Sequence, residues 1–327
     1  MTKPALGIDI SKETFDVELS VSGKPKHKRF ANGIVGFESV SDWLNKYGVD
    51  QVHACLEATG RYGEALALHL RTQGHLVSIV NPAQISYFAK SELQRNKDDR
   101  VDAGVIRRFC EQRMPPEWKP LTAAECELQA LTRHLENLKV AKQIEENRLQ
   151  SGVSSPTVID SIQEMTTFLG GKIEQVEKKI QEHIDHHPEL KEKQNLLVSI
   201  PGIGKLTAAM ILGEMPQLDD LGSARKAAAQ CGVTPAHRRS GKSVRGKPRL
   251  SKIGNARMRK ILYMPALAAM RFNPVVRNFC SRLRENDKHK SKLAIVGAAM
   301  RKLLHIAFGV LKHRQMFDSN HQPNFAG

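Results

Sequence analysis

The sequence predicts an α/β domain followed by an all-α region, and three observations support that fold class. Over residues 1–120, short apolar or alternating runs take turns with helically spaced ones. Over residues 121–195, leucines and isoleucines step by three and four, as along a heptad seam. Over residues 196–327, helical segments are separated by glycine-rich, basic loops.

Residues 5–10 form a short apolar strand, 15–21 an alternating one and 26–30 a third, with Gly23 in the turn between the last two. Val35, Phe37, Val40 and Leu44 give residues 33–47 helical spacing. A strand at 51–57, a helix at 62–73, a strand at 76–81 and helices near 85–93 and 98–111 follow. Three strands, helix, strand, helix, strand, helix is the order of an RNase H-like fold, the architecture expected of 1–120. In the second region, Leu128, Leu131, Leu135 and Leu138 mark one long helix. Ile162, Met165, Leu169, Ile173, Val176, Ile180 and Ile184 mark another, after a Gly/Ser/Pro break at 152–156. The pair reads as a helical hairpin or a coiled coil. A coiled coil serves dimerisation or a spacer arm, whereas a hairpin closes on itself; spacing does not choose. The third region is helix-rich, and Val296, Met300, Leu303, Ala307 and Val310 make its last helix, 293–312, a core element.

A chain of 327 residues has room for two or three domains and a sizeable core. The five cysteines are scattered and form no CxxC pair, which argues against a zinc ribbon or a disulfide framework and for a reducing compartment. The first residues carry charges where a signal peptide needs an apolar run, and no apolar stretch is expected to span a bilayer. A cytoplasmic protein is expected.

Charge is the first functional clue. The net formal charge is +16, and residues 196–327 alone carry 24 Lys/Arg against 6 Asp/Glu. General solubility charge is spread along a chain; basicity confined to one region suits a surface facing a polyanion, so nucleic acid is the expected partner. Residues 237–260 hold ten Lys/Arg and no acid: Arg238, Arg239, Lys242, Arg245, Lys247, Arg249, Lys252, Arg257, Arg259 and Lys260. The segment has no aromatic besides His237, so backbone contact rather than base stacking is its expected mode. The turn Pro201-Gly202-Ile203-Gly204 before a helix is similar to a helix-hairpin-helix element, in which Gly202 and Gly204 let a phosphate approach the helix-start amides. An ordinary glycine connector is the plainer reading.

Four carboxylates carry the chemistry. Asp9 and Glu57 each interrupt an apolar strand near its C-terminal end, and adjacent parallel strands set such ends side by side. Asp99 and Asp102, three apart on a helix, share a face. Any single acid is ordinarily a solvated surface charge. Converging, the four repel unless a cation neutralises them, and hard oxygen donors suit Mg²⁺, or Mn²⁺ in its place, at a scissile phosphate. Asp98 stands beside Asp99, and spacing alone does not choose between them. The cluster His183, Asp185, His186 and His187 also invites a metal reading, but it closes a helix, where partly charged histidines suit the dipole.

The runs GIDISKETFD, LEATGRYGEALALHL and RNKDDRVDAGVIRRFC closely resemble the DEDD transposases of the one-ten family of bacterial insertion sequences. The likeness continues through LLVSIPGIGKLTAAMIL and CGVTPAHRRSGKSVRGKPRLSKIGN, so it covers nearly the whole chain. It implies a RuvC-like N-terminal domain, the acid tetrad Asp9, Glu57, Asp99 and Asp102, and a nucleophilic serine in the basic loop. The position matching that family's pattern is Ser240, with Ser243 as the alternative; from composition alone Ser240 is merely a polar loop residue. The resemblance further implies RNA-guided recombination, with donor and target DNA read through a structured bridge RNA. Acids and serine in separate domains imply a site assembled by docking, in a dimer or tetramer. Two other classes fit parts of the sequence: a Holliday-junction-type nuclease using water, which needs the acids but not Ser240, and a non-enzymatic nucleic-acid binder.

Overall fold

The computed structural model describes residues 3–58, 60–92, 99–236, 239–240, 244–245, 249–286 and 291–320, with backbone only at 61, 99–101, 239–240 and 244–245. The chain forms two compact units, Met1–Pro120 and Leu121–Gly327.

In the first unit the elements are β1 (Ala5–Ile10), β2 (Thr14–Val21), β3 (Lys24–Ala31), α1 (Ile34–Lys46), β4 (His53–Glu57), α2 (Glu64–Thr72), β5 (Leu76–Val80), α3 (Pro82–Ser91) and α4 (Asp99–Arg113). The sheet order is β3-β2-β1-β4-β5. β1, β2 and β3 pair antiparallel, while β4 joins β1 and β5 in parallel. This mixed five-stranded sheet agrees with an RNase H-like domain. Alternation along β1 divides its side chains between two layers. Leu6, Ile8 and Ile10 face a core with Phe15, Phe37, Val40, Leu44, Leu66 and Leu70. Phe15 is fully buried and stacks 5.4 Å from Phe30, and burying a side chain of that size stabilises by about 1.5–3 kcal/mol. On the opposite face Ala5 and Cys55 pack with Val105, Ile106, Phe109 and Cys110 of α4.

Gly7 lets α4 lie so close. A Cβ there would stand 2.1 Å from the Ala103 carbonyl oxygen and 2.3 Å from the Arg107 nitrogen, both backbone atoms that no rotamer change can move. Gly7→Ala is therefore expected to cost about 1–3 kcal/mol, read as a lower midpoint in denaturant.

The second unit is helical: α5 (Ala123–Gln150), α6 (Pro156–Asp185), α7 (Pro188–Val198), α8 (Lys205–Glu214), α9 (Ala224–Gln230), α10 (Ala256–Phe272), α11 (Pro274–Asn286) and α12 (Lys292–His313). Thr122 caps α5 with a capping box to Glu125, which satisfies the first orphan amides. α5 and α6 run antiparallel, with Lys139 paired to Glu177 at 2.7 Å and His183 Nε2 2.8 Å from the Ala124 carbonyl. Their inward residues Leu128, Leu135, Val176, Ile180 and Ile184 share one core with α7, α8, α10 and α12. Farther out, Val140, Ile144, Met165 and Phe168 are exposed. The expectation that no stretch is long and apolar enough to span a bilayer needs correcting: among the described residues α12 is, by length and composition, with half of its most apolar window buried. Its buried residues belong to the core of this unit, as its stripe suggested.

Two histidines set a pH dependence. Burial lowers His75, helped by His69 and Lys3, and its Nδ1 accepts from the Val52 amide at 3.4 Å, as only a ring unprotonated there can. Burial also lowers His305, with Arg301, Lys302 and Arg225 adding to it, and its Nε2 is buried without a hydrogen-bond partner. On acidification the unfolded chain protonates first, near 6.5. Their contribution is therefore intact above that pH and shrinks as pH falls from 6.5 toward the lower folded values. The melting temperature is expected to be lower at about pH 5.5 than at about pH 7.5, and His305→Leu to narrow the gap.

Candidate active site and nucleic-acid interface

β1 and β4 are in parallel register, Ile8 opposite Leu56, so the next step sets Asp9 beside Glu57, the last residue of β4. Both are half-buried. Alternation puts them on the face that carries Gly7 and Cys55, the face α4 covers. α4 runs antiparallel to these strands. Near its end Cys110 Sγ donates to the His53 carbonyl at the start of β4, 3.5 Å away, and midway Arg107 lies over Gly7. One turn earlier, the helix start brings Asp99 and half-buried Asp102 over the strand ends holding Asp9 and Glu57. The fold thus brings the backbone positions of Asp9, Glu57, Asp99 and Asp102 to one end of one face. The side chain of Asp99 and all of Asp98 lie outside the described residues. Among the described residues no three His, Cys, Asp or Glu side chains already form a metal-holding group. Asp9, Glu57 and Asp102 each have a partner. As donors they are hard carboxylate oxygens, the chemistry that fits Mg²⁺ or Mn²⁺.

Sequence reasoning passed over the charges beside them. Asp16 stands opposite Asp9 across the β1–β2 pair and is only 3% exposed. Its Oδ2 accepts from Arg29 Nε at 2.8 Å, and its Oδ1 lies 2.9 Å from His27 Nε2, off the hydrogen-bond direction. One step along, Glu18 accepts from Arg107 Nε at 3.0 Å, and Arg107 also donates to Glu111. Burial alone disfavours charged Arg107, but Glu18 and Glu111 more than offset it and raise its pKa. The signal was present in TFDVELSV: acids at alternate positions belong to one face, and here a helix rather than water covers that face.

In the second unit, the basic segment is not simply a loop. Pro235–Ala236 (β6) pairs antiparallel with Arg249–Leu250 (β9), and inside that ladder Arg239–Ser240 (β7) pairs with Val244–Arg245 (β8). Short ladders satisfy backbone groups that a glycine-rich loop leaves to water. Ser240 thus lies on a strand of the inner ladder, opposite Val244. Arg238, Lys242, Ser243 and Lys247 lie outside the described residues, as do the side chains of Arg239, Ser240 and Arg245. Arg249 and Lys252 are exposed. Arg259 instead holds the fold, donating to the carbonyls of Cys231 and Gly254, and Lys260 pairs with Glu136 at 2.7 Å.

The two turn glycines differ. Gly202 has φ +107 and a Cβ there would meet Ala269 of α10 at 2.8–2.9 Å, so its missing side chain serves packing within the unit. Gly204 is exposed at the N-cap of α8 with nothing within 4 Å of an added Cβ and no side-chain cap over the helix-start amides. The histidine cluster is occupied locally: His187 Nδ1 is 2.7 Å from the His183 carbonyl, and Asp185 pairs with Lys191 at 2.5 Å.

Comparison with known proteins places the chain in a family. Residues 6–155 match a DEDD transposase family of the IS110 type, and residues 194–281 match the family described as Transposase IS116/IS110/IS902. The chain is 33% identical over 321 residues to the pilin gene-inverting protein of Moraxella bovis, covering 97% of this chain and 98% of that one, and equally to its namesake in Moraxella lacunata. It is 26% identical over 239 residues to the transposase for insertion sequence element IS1328 of Yersinia enterocolitica, covering 63% of this chain and 67% of that protein. Identity at that level along nearly the full length shows that this chain belongs to the IS110 family of transposases, enzymes of DNA recombination.

Proposed function

We propose that this transposase cuts and rejoins DNA by serine attack on a phosphate held at its acid site. The observation that supports this reading best is the parallel register of β1 with β4, which sets Asp9 beside Glu57 under the start of α4. Asp9, Glu57, Asp99 and Asp102 are the residues that would hold Mg²⁺, or Mn²⁺, which when bound polarises a phosphoryl oxygen. Ser240 attacks the phosphorus and forms an Oγ–P bond. The bond to the leaving sugar oxygen breaks, and the serine proton ends on that oxygen as a free hydroxyl. The phosphoserine link conserves the bond energy, so rejoining needs no ATP.

Arg238, Arg239, Lys242, Arg245, Lys247, Arg249 and Lys252 hold phosphates on either side, in a mode that positions strands without reading bases. Gly202 shapes the turn, and Gly204 leaves the α8 amides open to one further phosphate. Acids and serine lie in separate units, so their docking completes the site, within one chain or between copies in a dimer or tetramer. Backbone contacts suit a division in which a structured RNA supplies sequence choice by base pairing. The protein would act in the cytoplasm, on donor and target DNA, without a membrane.

The test is strand transfer between supercoiled donor and target, with and without RNA transcribed from the element's flank. Joined products that require both that RNA and Mg²⁺ are expected. Products formed equally without RNA would remove the guide from the reading, and cleavage that Ser240→Ala leaves intact, with no protein–DNA adduct, would make the chain a water-using nuclease.

A further inference from the structure

On the face that α4 covers, toward the starts of β1 and β4, two thiols meet. Cys55 on β4 and Cys110 on α4 are 0% and 1% exposed and within hydrogen-bond reach of each other. Cys110 also lines a cavity of about 350 Å³ with Lys3, Pro4, His53 and Met114, beside the starts of β1 and β4. The other cysteines have no such company. Cys126 is exposed, Cys231 lies 3.2 Å from the Met215 sulfur, and Cys280 is buried. We propose that Cys110 and Cys55 form a reversible disulfide when a hydroperoxide enters this cavity.

The cavity holds a molecule of that size and is lined by Cys110 but not by Cys55, which makes Cys110 the thiol that reacts first and Cys55 the resolving one. The Cys55 thiol, donating to the Cys110 sulfur, holds Cys110 below the ordinary thiol range, and thiolate is the reactive form. The Cys110 sulfur attacks one peroxide oxygen, the O–O bond breaks, and the departing hydroxide takes the thiol proton to leave as water. The Cys55 sulfur then attacks the resulting sulfenic acid. The S–O bond breaks, an S–S bond forms, and a second water leaves with the Cys55 proton. Two thiols lose two electrons to the peroxide, and a dithiol returns them. The link ties the strand carrying Glu57 to the helix carrying Asp102, and it stands whether or not those acids hold an ion.

Peptide mapping of the full chain after hydrogen peroxide, without reductant, tests this. A Cys55–Cys110 linked pair is expected, formed about tenfold faster than oxidation of Cys231 or Cys280 and reversed by dithiothreitol. In Cys55→Ser, Cys110 is expected instead to be labelled by dimedone as sulfenic acid. Oxidation confined to Cys126, with residues 55 and 110 still reduced in the unaltered chain, would overturn the proposal without reference to any variant's folding.

Discussion

Asp9→Asn, Glu57→Gln and Asp102→Asn are each expected to lower strand cleavage on the order of 10³-fold, matching the several kcal/mol an ion supplies at a phosphoryl oxygen. EDTA should reproduce the loss in the unaltered chain. Stability should change little by comparison. Each of the three acids has a partner in the fold, and a single side-chain contact on a half-buried carboxylate contributes only about 1 kcal/mol. Asp16→Ala provides the contrast. It removes a buried carboxylate that accepts from Arg29, and because the Arg29 side chain is half exposed to water the loss is expected to be about 1 kcal/mol, seen as a lower melting temperature without a loss of metal-dependent chemistry. Thermal melts beside cleavage assays separate the two patterns. Loss of activity with a depressed melting temperature in all four variants would make the acids structural.

Ser240→Ala is expected to abolish the covalent adduct and strand joining while leaving DNA affinity within about twofold, since one hydroxyl contributes little beside a run of cations. Arg249→Ala and Lys252→Ala should behave oppositely. Both side chains are exposed, so each loss should weaken binding across sequences and reduce the slope of log affinity against log salt by about one. Binding isotherms at several salt concentrations check the pair. An unchanged slope would mean that these cations do not touch phosphate.

The sheet domain was legible because its signals are local. Apolar alternation in β1 and β2 and helical spacing in α1 survive without knowing what they pack against, and the observed strands begin and end within a few residues of the expected ones. Adjacent parallel first and fourth strands were only the condition under which Asp9 and Glu57 come together, and the observed register meets it. What escaped was set by long-range contact. Glu18 looks solvent-facing until α4, eighty-odd residues on, covers it with Arg107, and Asp16 does so until Arg29 and His27 of β3 are found beside it. Gly202 looks like a phosphate turn until Ala269 is found against it. The short ladders around Ser240 defied expectation because arginine, lysine and glycine have little strand propensity, and pairing of a few backbone groups overrode it. The membrane-length character of α12 was missed because its stripe pointed to burial, and the helix is long and apolar in composition despite Arg301, Lys302 and His305 between its buried positions.

The most direct measurement is the chemical identity of the intermediate. Nicked DNA that strands the reaction after the first cut, incubated with Mg²⁺ and the full chain and then peptide-mapped, should yield a nucleotide linked through phosphate to Ser240, and none with EDTA or with Asp9→Asn. A nucleotide attached to any other side chain, or an adduct that forms undiminished without divalent metal, would contradict the claim that these carboxylates and this hydroxyl act on one phosphorus.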